Sequence, residues 1–93
     1  MKQVIDVFCD NDPVAYAETC RMLGQVDLRN HLSGLDFPVI ILVGEDDYAT
    51  PPEMAHHLAS NLKNSKLKII RDARHFTPLE YPNLVAEHLR SLI

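Results

Sequence analysis

Five consecutive apolar residues, Val39-Ile40-Ile41-Leu42-Val43, run straight into Gly44. All but Leu42 are β-branched, and nothing polar interrupts them. Such a run reads as a strand buried on both faces, the condition of a strand in a parallel sheet. The sequence downstream fits that reading. Thr50-Pro51-Pro52-Glu53 has the form of a capping box, with Thr50 as the cap. Met54, Leu58 and Leu62 then recur at spacing four beside Ala55 and Ala59, which predicts a helix covering the sheet. Asn61 to Ser65 is a polar turn, and Leu67-Lys68-Ile69-Ile70 is a second strand, partly alternating and so nearer an edge. After a loop, Pro82 opens a last helix with Leu84, Val85, His88, Leu89 and Leu92 on one face. The order β-α-β-α implies parallel strands and a right-handed crossover.

Upstream, the pattern is helical. Met1 to Cys9 is too short for its period to separate helix from strand. Asp10-Asn11-Asp12-Pro13 marks a helix start, with Asp12 able to cap free N–H groups and Pro13 suited to the first helical position. Val14, Ala15, Ala17, Cys20, Met22 and Leu23 continue an apolar face expected to stop at Gly24. Asp27 to Leu32 suggests a shorter helix, with Ser33 to Pro38 as a loop. At 93 residues and 10.6 kDa the chain is expected to be one domain, with helices over 1–35 and the β-α-β-α unit over 36–93. A hydrophobic content of 46% is too high for a disordered tail. The net charge of −4, without any basic run, argues against nucleic acid or an anionic membrane as a partner. No apolar stretch is long enough to span a bilayer, and Asp6 interrupts any signal core. Cys9 and Cys20 can form neither a disulfide framework nor a CxxC pair, so a reduced, cytoplasmic protein is expected.

Chemistry in such sheets gathers beyond the carboxyl ends of the strands. The first strand runs into Gly44-Glu45-Asp46-Asp47 and the second into Arg71-Asp72-Ala73-Arg74-His75. Parallel neighbours would bring Asp47 and His75 to one edge, where a carboxylate can fix the imidazole tautomer and leave the other nitrogen as a general base. The competing reading is a solvated acidic turn and a histidine that merely starts a loop. Asp46 is the fallback acid if the turn shifts by one residue. Other candidates carry less. Cys9 lacks flanking glycines and reads as an ordinary thiol. His56 and His57 point about 100° apart on a helix and cannot share a metal, while Glu53 with His57 gives two ligands where structural zinc needs four. His31 and His88 fall in amphipathic segments, and Tyr16, Tyr48 and Tyr81 suit half-buried packing.

The stretches PVIILVGEDDYATPPEMAHHL and KLKIIRDARHFTPLEYP together resemble the carboxyl-terminal part of an α/β-hydrolase. Gly44 and Asp47 match that family's G-x-x-D after one strand. His75, Glu80 and Pro82 match its histidine followed five residues later by E-x-P. The upstream stretch NDPVAYAETCRMLGQVDLRNHLSGLDFPV is similar to the end of the cap region in 3-oxoadipate enol-lactonases and related small-ester hydrolases. The resemblance implies a truncated α/β-hydrolase fold and, for the parent reaction, hydrolysis of a small carboxylic ester or enol-lactone. In it a serine would form an acyl-enzyme, His75 would act as base and Asp47 as its orienter, with no metal or organic cofactor needed. Dehalogenases, haloperoxidases and carbon–carbon hydrolases share these motifs.

Two departures stand out. No Gly-x-Ser-x-Gly elbow surrounds Ser33, Ser60, Ser65 or Ser91, so the chain by itself is expected to be inactive. Arg74 stands where the family has a small residue, and would disfavour the imidazolium unless it faces solvent or pairs with Asp72. The alternative function is a non-catalytic remnant or assembly module that keeps the hydrolase packing surface. Because two strands leave an edge beside Ile40, Ile41 and Leu42 unpaired, the expected partner is a second copy in a homodimer, or a missing amino-terminal hydrolase portion.

Overall fold

The β-branched run does form a strand. In the computed structural model, which describes residues 2–93, the elements in order are α1 (Lys2–Cys9), α2 (Pro13–Gln25), a 3₁₀ helix (Arg29–Gly34), β1 (Val39–Gly44), α3 (Pro52–Asn61), β2 (Ser65–Ile70), α4 (Thr77–Glu80) and α5 (Pro82–Arg90). The strands pair in parallel, from Val39 opposite Ser65 to Gly44 opposite Ile70. The architecture is that of a truncated α/β fold, helices followed by a parallel two-stranded unit.

Strand alternation sends successive side chains to opposite faces. On one face Ile41 and Val43 pack against Ala55 of α3, with Val39, Ala59, Leu62 and Leu67 around them. On the other, Ile70, Ala73 and Val85 of α5 form a second cluster, joined by Leu42 and Leu84. The expected two-sided burial of β1 is therefore met unevenly: Ile41 and Val43 are buried, whereas Ile40 and Leu42 stay half-buried. α1, α2 and the 3₁₀ helix bury no residue. Their tightest aromatic contact is Phe8 edge-on to Tyr16, with ring centroids 5.2 Å apart. The Cα radius of gyration is 15.3 Å, against roughly 12 Å for a close-packed chain of this length.

Several local expectations need correction. Asp12 caps α2 as expected, its Oδ1 accepting from the Val14 N–H at 2.9 Å. The helix nevertheless passes through Gly24 and ends in extended backbone at Val26. The next helix is 3₁₀ rather than α and takes in Ser33 and Gly34, which had suggested a loop. Lys2–Cys9, undecided by its pattern, is helical. α4 was not foreseen. α3 begins at Pro52 with Pro51 as its cap residue, so Thr50 is not the cap; its side chain bonds elsewhere. Among the described residues, no helix is long and apolar enough to cross a membrane.

Candidate active site

Because β1 and β2 end in register, the two loops that follow start level. The Glu45 N–H donates to the Ile70 carbonyl at 2.9 Å, and the Asp46 N–H to the Ala73 carbonyl at 2.9 Å. The return of the second loop toward the first is made at Asp72, which takes a φ of 61°, a left-handed conformation that Asp tolerates better than most residues. Gly44 is required by this approach. A Cβ there would lie 2.3 Å from the Arg74 carbonyl oxygen and 2.4 Å from that of Ala73, both backbone atoms that cannot swing aside. The residue that closes the apolar run is thus the residue that lets the histidine loop come close.

Asp47 and His75 meet as the strand ends imply. Asp47 is only 4% exposed. Its Oδ1 accepts from the N–H groups of Ala49 (3.0 Å) and Thr50 (2.9 Å), and its Oδ2 from the Thr50 hydroxyl (3.0 Å). His75 Nδ1 lies 3.0 Å from the same Oδ2. The Thr50 N–H is the chief reason that the Asp47 carboxyl is held down at about 2; burial opposes it, while His75, the Thr50 hydroxyl and the Ala49 N–H assist. A carboxyl depressed on folding stabilises the fold at pH above its unfolded value near 4, and that contribution is lost as pH falls through about 2. At neutral pH Asp47 is therefore a carboxylate. A neutral His75 then carries its proton on Nδ1, donating to Asp47, and keeps the Nε2 lone pair free. The His75 side chain is 50% exposed, so that lone pair is accessible. Asp46, the fallback acid, contributes its backbone N–H to the Ala73 carbonyl and makes no bond to the imidazole.

Glu80 and Phe76 place the imidazole. Glu80 Oε1 accepts from the Arg74 N–H at 2.9 Å, tying the residue before the histidine to α4, and Phe76 stands edge-on to the His75 ring at 5.3 Å. Arg74 is exposed and, among the described residues, makes no ion pair with Asp72. A groove of about 680 Å³ runs from the Asp47–His75 pair between β1 and α3, with Ile41, Val43, Met54 and Leu58 on its walls. Three of the four serine hydroxyls donate to backbone carbonyls: Ser60 to His56, Ser65 to Ala59 and Ser91 to His88. Cys9 and Cys20 are exposed thiols. The carboxylates of Glu45, Asp46 and Asp72 gather within 4.8 Å of one another, and Glu45 is already engaged by the Asp72 N–H. The histidines His56 and His57 belong to no comparable ligand cluster among the described residues.

Thr50 is the site residue that sequence reasoning missed. Its position ahead of Pro51-Pro52-Glu53 imitates a helix cap, and only the folded turn shows that its hydroxyl serves Asp47. The one available signal was its spacing of three residues from Asp47, the reach at which a carboxylate accepts from backbone N–H groups ahead of it.

No family model matches the chain. It is 31% identical over 81 residues to the pimeloyl-[acyl-carrier protein] methyl ester esterase of Neisseria meningitidis, covering 87% of this chain and 32% of the relative. Over the same length it is 26% identical to 3-oxoadipate enol-lactonase 1 of Acinetobacter baylyi, of which it spans 30%. Among solved structures, a thermophilic esterase from Thermogutta terrifontis superposes with a TM-score of 0.66 at 34% identity, over 70% of this chain and 24% of that one. The α/β-hydrolase MGS-MChE2, from lagoon sediments of Mar Chica, gives the same TM-score at 26% identity over 70% and 30%. The chain thus spans about a third or less of the proteins it matches. These likenesses place the chain among the α/β-hydrolases, of whose fold it carries a segment.

Proposed function

We propose that this chain supplies the acid and the base of a carboxylic ester or enol-lactone hydrolase. The observation that carries the reading is the buried Asp47 carboxylate 3.0 Å from Nδ1 of a half-exposed His75. In the reaction, Nε2 of His75 removes the proton from a serine hydroxyl as its oxygen attacks the ester carbonyl. The imidazolium, balanced by Asp47, then returns that proton to the departing alkoxide, and water repeats the sequence on the acyl-enzyme. The serine comes from outside these 93 residues, since no Gly-x-Ser-x-Gly elbow occurs and the imidazole bonds only Asp47 and Thr50 among the described residues. The named relatives act on a methyl ester and an enol-lactone, both attacked at a carboxyl carbonyl. A chimera in which this chain replaces the matching segment of the Thermogutta terrifontis esterase should hydrolyse p-nitrophenyl acetate. His75→Ala should then lower kcat by roughly 10³-fold or more. A folded chimera that is inactive, or that ignores His75→Ala, overturns the reading. The 93-residue chain alone should show no His75-dependent turnover.

A second reading, an assembly module without a reaction of its own, is supported by the bare apolar side chains of α1 and α2, among them Ile5, Phe8, Val14 and Leu23. The edge of β1 also lacks the lysines that Lys66 and Lys68 supply along β2. Light scattering should give twice 10.6 kDa for a homodimer; a monomer at micromolar concentration removes this reading.

A further inference from the structure

We infer that Thr50 is a positioning residue for the Asp47–His75 pair, its hydroxyl fixing the carboxylate oxygen to which the imidazole binds. The inference rests on the reading of that pair as the acid and base, and adds a third group to it.

Asp47 is held at three points ahead of it in the chain. The N–H groups of Ala49 and Thr50 fix Oδ1, which leaves the carboxylate one degree of freedom: rotation that swings Oδ2. The Thr50 hydroxyl, 3.0 Å from Oδ2, stops that rotation. The same hydroxyl oxygen lies 3.3 Å from His75 Nδ1. A threonine hydroxyl has one proton and two lone pairs. Here the proton goes to Asp47 Oδ2, and a lone pair faces the Nδ1–H, which is thus shared between carboxylate and hydroxyl. His75 needs such a clamp. Its side chain is half exposed, and apart from Asp47 and Thr50 the ring's close contact is the edge of Phe76. The hydroxyl is not a nucleophile in this arrangement, because it faces Nδ1 rather than the free Nε2. Nor is it a core or capping group: Thr50 is exposed, and α3 starts from Pro51 with no side-chain cap hydrogen bond.

Nuclear magnetic resonance of the intact chain tests this without any substrate. Thr50→Val keeps shape and backbone N–H but removes the hydroxyl. It should raise the titration midpoint of the Asp47 carboxyl above its present value of about 2, and speed solvent exchange of the His75 Nδ1–H about fivefold. Thr50→Ser should restore both. Unchanged values in Thr50→Val overturn the inference, and so does a Thr50→Ser that behaves like valine, since the methyl would then be the group that mattered. Asp47→Ala, which leaves no acceptor at that position, provides the separate control: loss of the Nδ1–H signal there upholds the pair whatever Thr50 does, and its persistence removes the pair itself. Should Thr50→Val fail to fold, Thr50→Ala takes its place against Thr50→Ser: faster Nδ1–H exchange in the alanine variant than in the serine one supports the inference, and equal exchange in the two overturns it.

Discussion

The amino-terminal helices and the β-α-β-α unit are both rich in apolar side chains, yet only one of them buries any. α1 and α2 leave Ile5, Phe8, Met22 and Leu23 at least half exposed, whereas every buried hydrophobic among the described residues lies between Ile41 and Val85. The difference is one of partners. A strand gains its neighbour through the backbone ladder and, with the crossover, draws a helix over its face. A helix satisfies its own hydrogen bonds and brings nothing to cover its apolar stripe. The candidate site follows the same division: among the described residues, every hydrogen bond to the Asp47 and His75 side chains comes from residues 47 to 75, and residues 2–34 make none.

The largest effect that would break or sharpen this contrast comes from core truncation. Ile41→Ala removes a side chain packed between β1 and α3 and should cost about 2–5 kcal/mol, most of what a small domain has. Leu23→Ala, on α2, should change stability by no more than about 0.5 kcal/mol. Urea unfolding of the two variants measures both. A Leu23→Ala cost above ~1 kcal/mol that grows with protein concentration would show that a second copy covers α2, and the contrast would then belong to the monomer alone.

Gly44→Ala comes next, because it strikes where core and site join. The added Cβ must displace the Ala73–Arg74 backbone, so about 1–3 kcal/mol should be lost. The same displacement should carry His75 away from Asp47, visible as loss of the protected Nδ1–H. Retention of that signal at full stability would mean that the two loops do not approach as closely as the Gly44 contacts require.

How much of this was legible beforehand follows from the same physics. β1 could be read because an uninterrupted β-branched run has few alternatives, and the level meeting of Asp47 and His75 follows from parallel strands that end in register. Glu80 matched a motif, but its task, accepting from the Arg74 N–H, appears only when α4 has formed. Thr50 was misread because a hydroxyl ahead of a helix has two possible customers, the helix N–H groups and a nearby carboxylate, and local sequence favours the first. Gly24 was misread because a glycine near the end of a helical pattern suggests a stop, while the helix carries on until Val26, whose N–H still donates to the Met22 carbonyl as its backbone turns extended.

That last residue supplies the smallest and most discriminating effect. Gly24 lies inside α2 with ordinary helical backbone, and a Cβ placed on it meets no atom within 4 Å. Alanine there costs nothing sterically and removes the conformational freedom that glycine gives the unfolded chain. Gly24→Ala should therefore increase the helicity of α2, read by amide exchange over Pro13–Gln25, by an amount equivalent to about 0.5–1 kcal/mol. Because α2 makes no buried contact with the β-α-β-α unit, the urea midpoint of β1 and β2 should not move with it. A rise in both together would show that the two regions unfold as one, and that the apolar face of α2 is coupled to the core by contacts the isolated chain does not display.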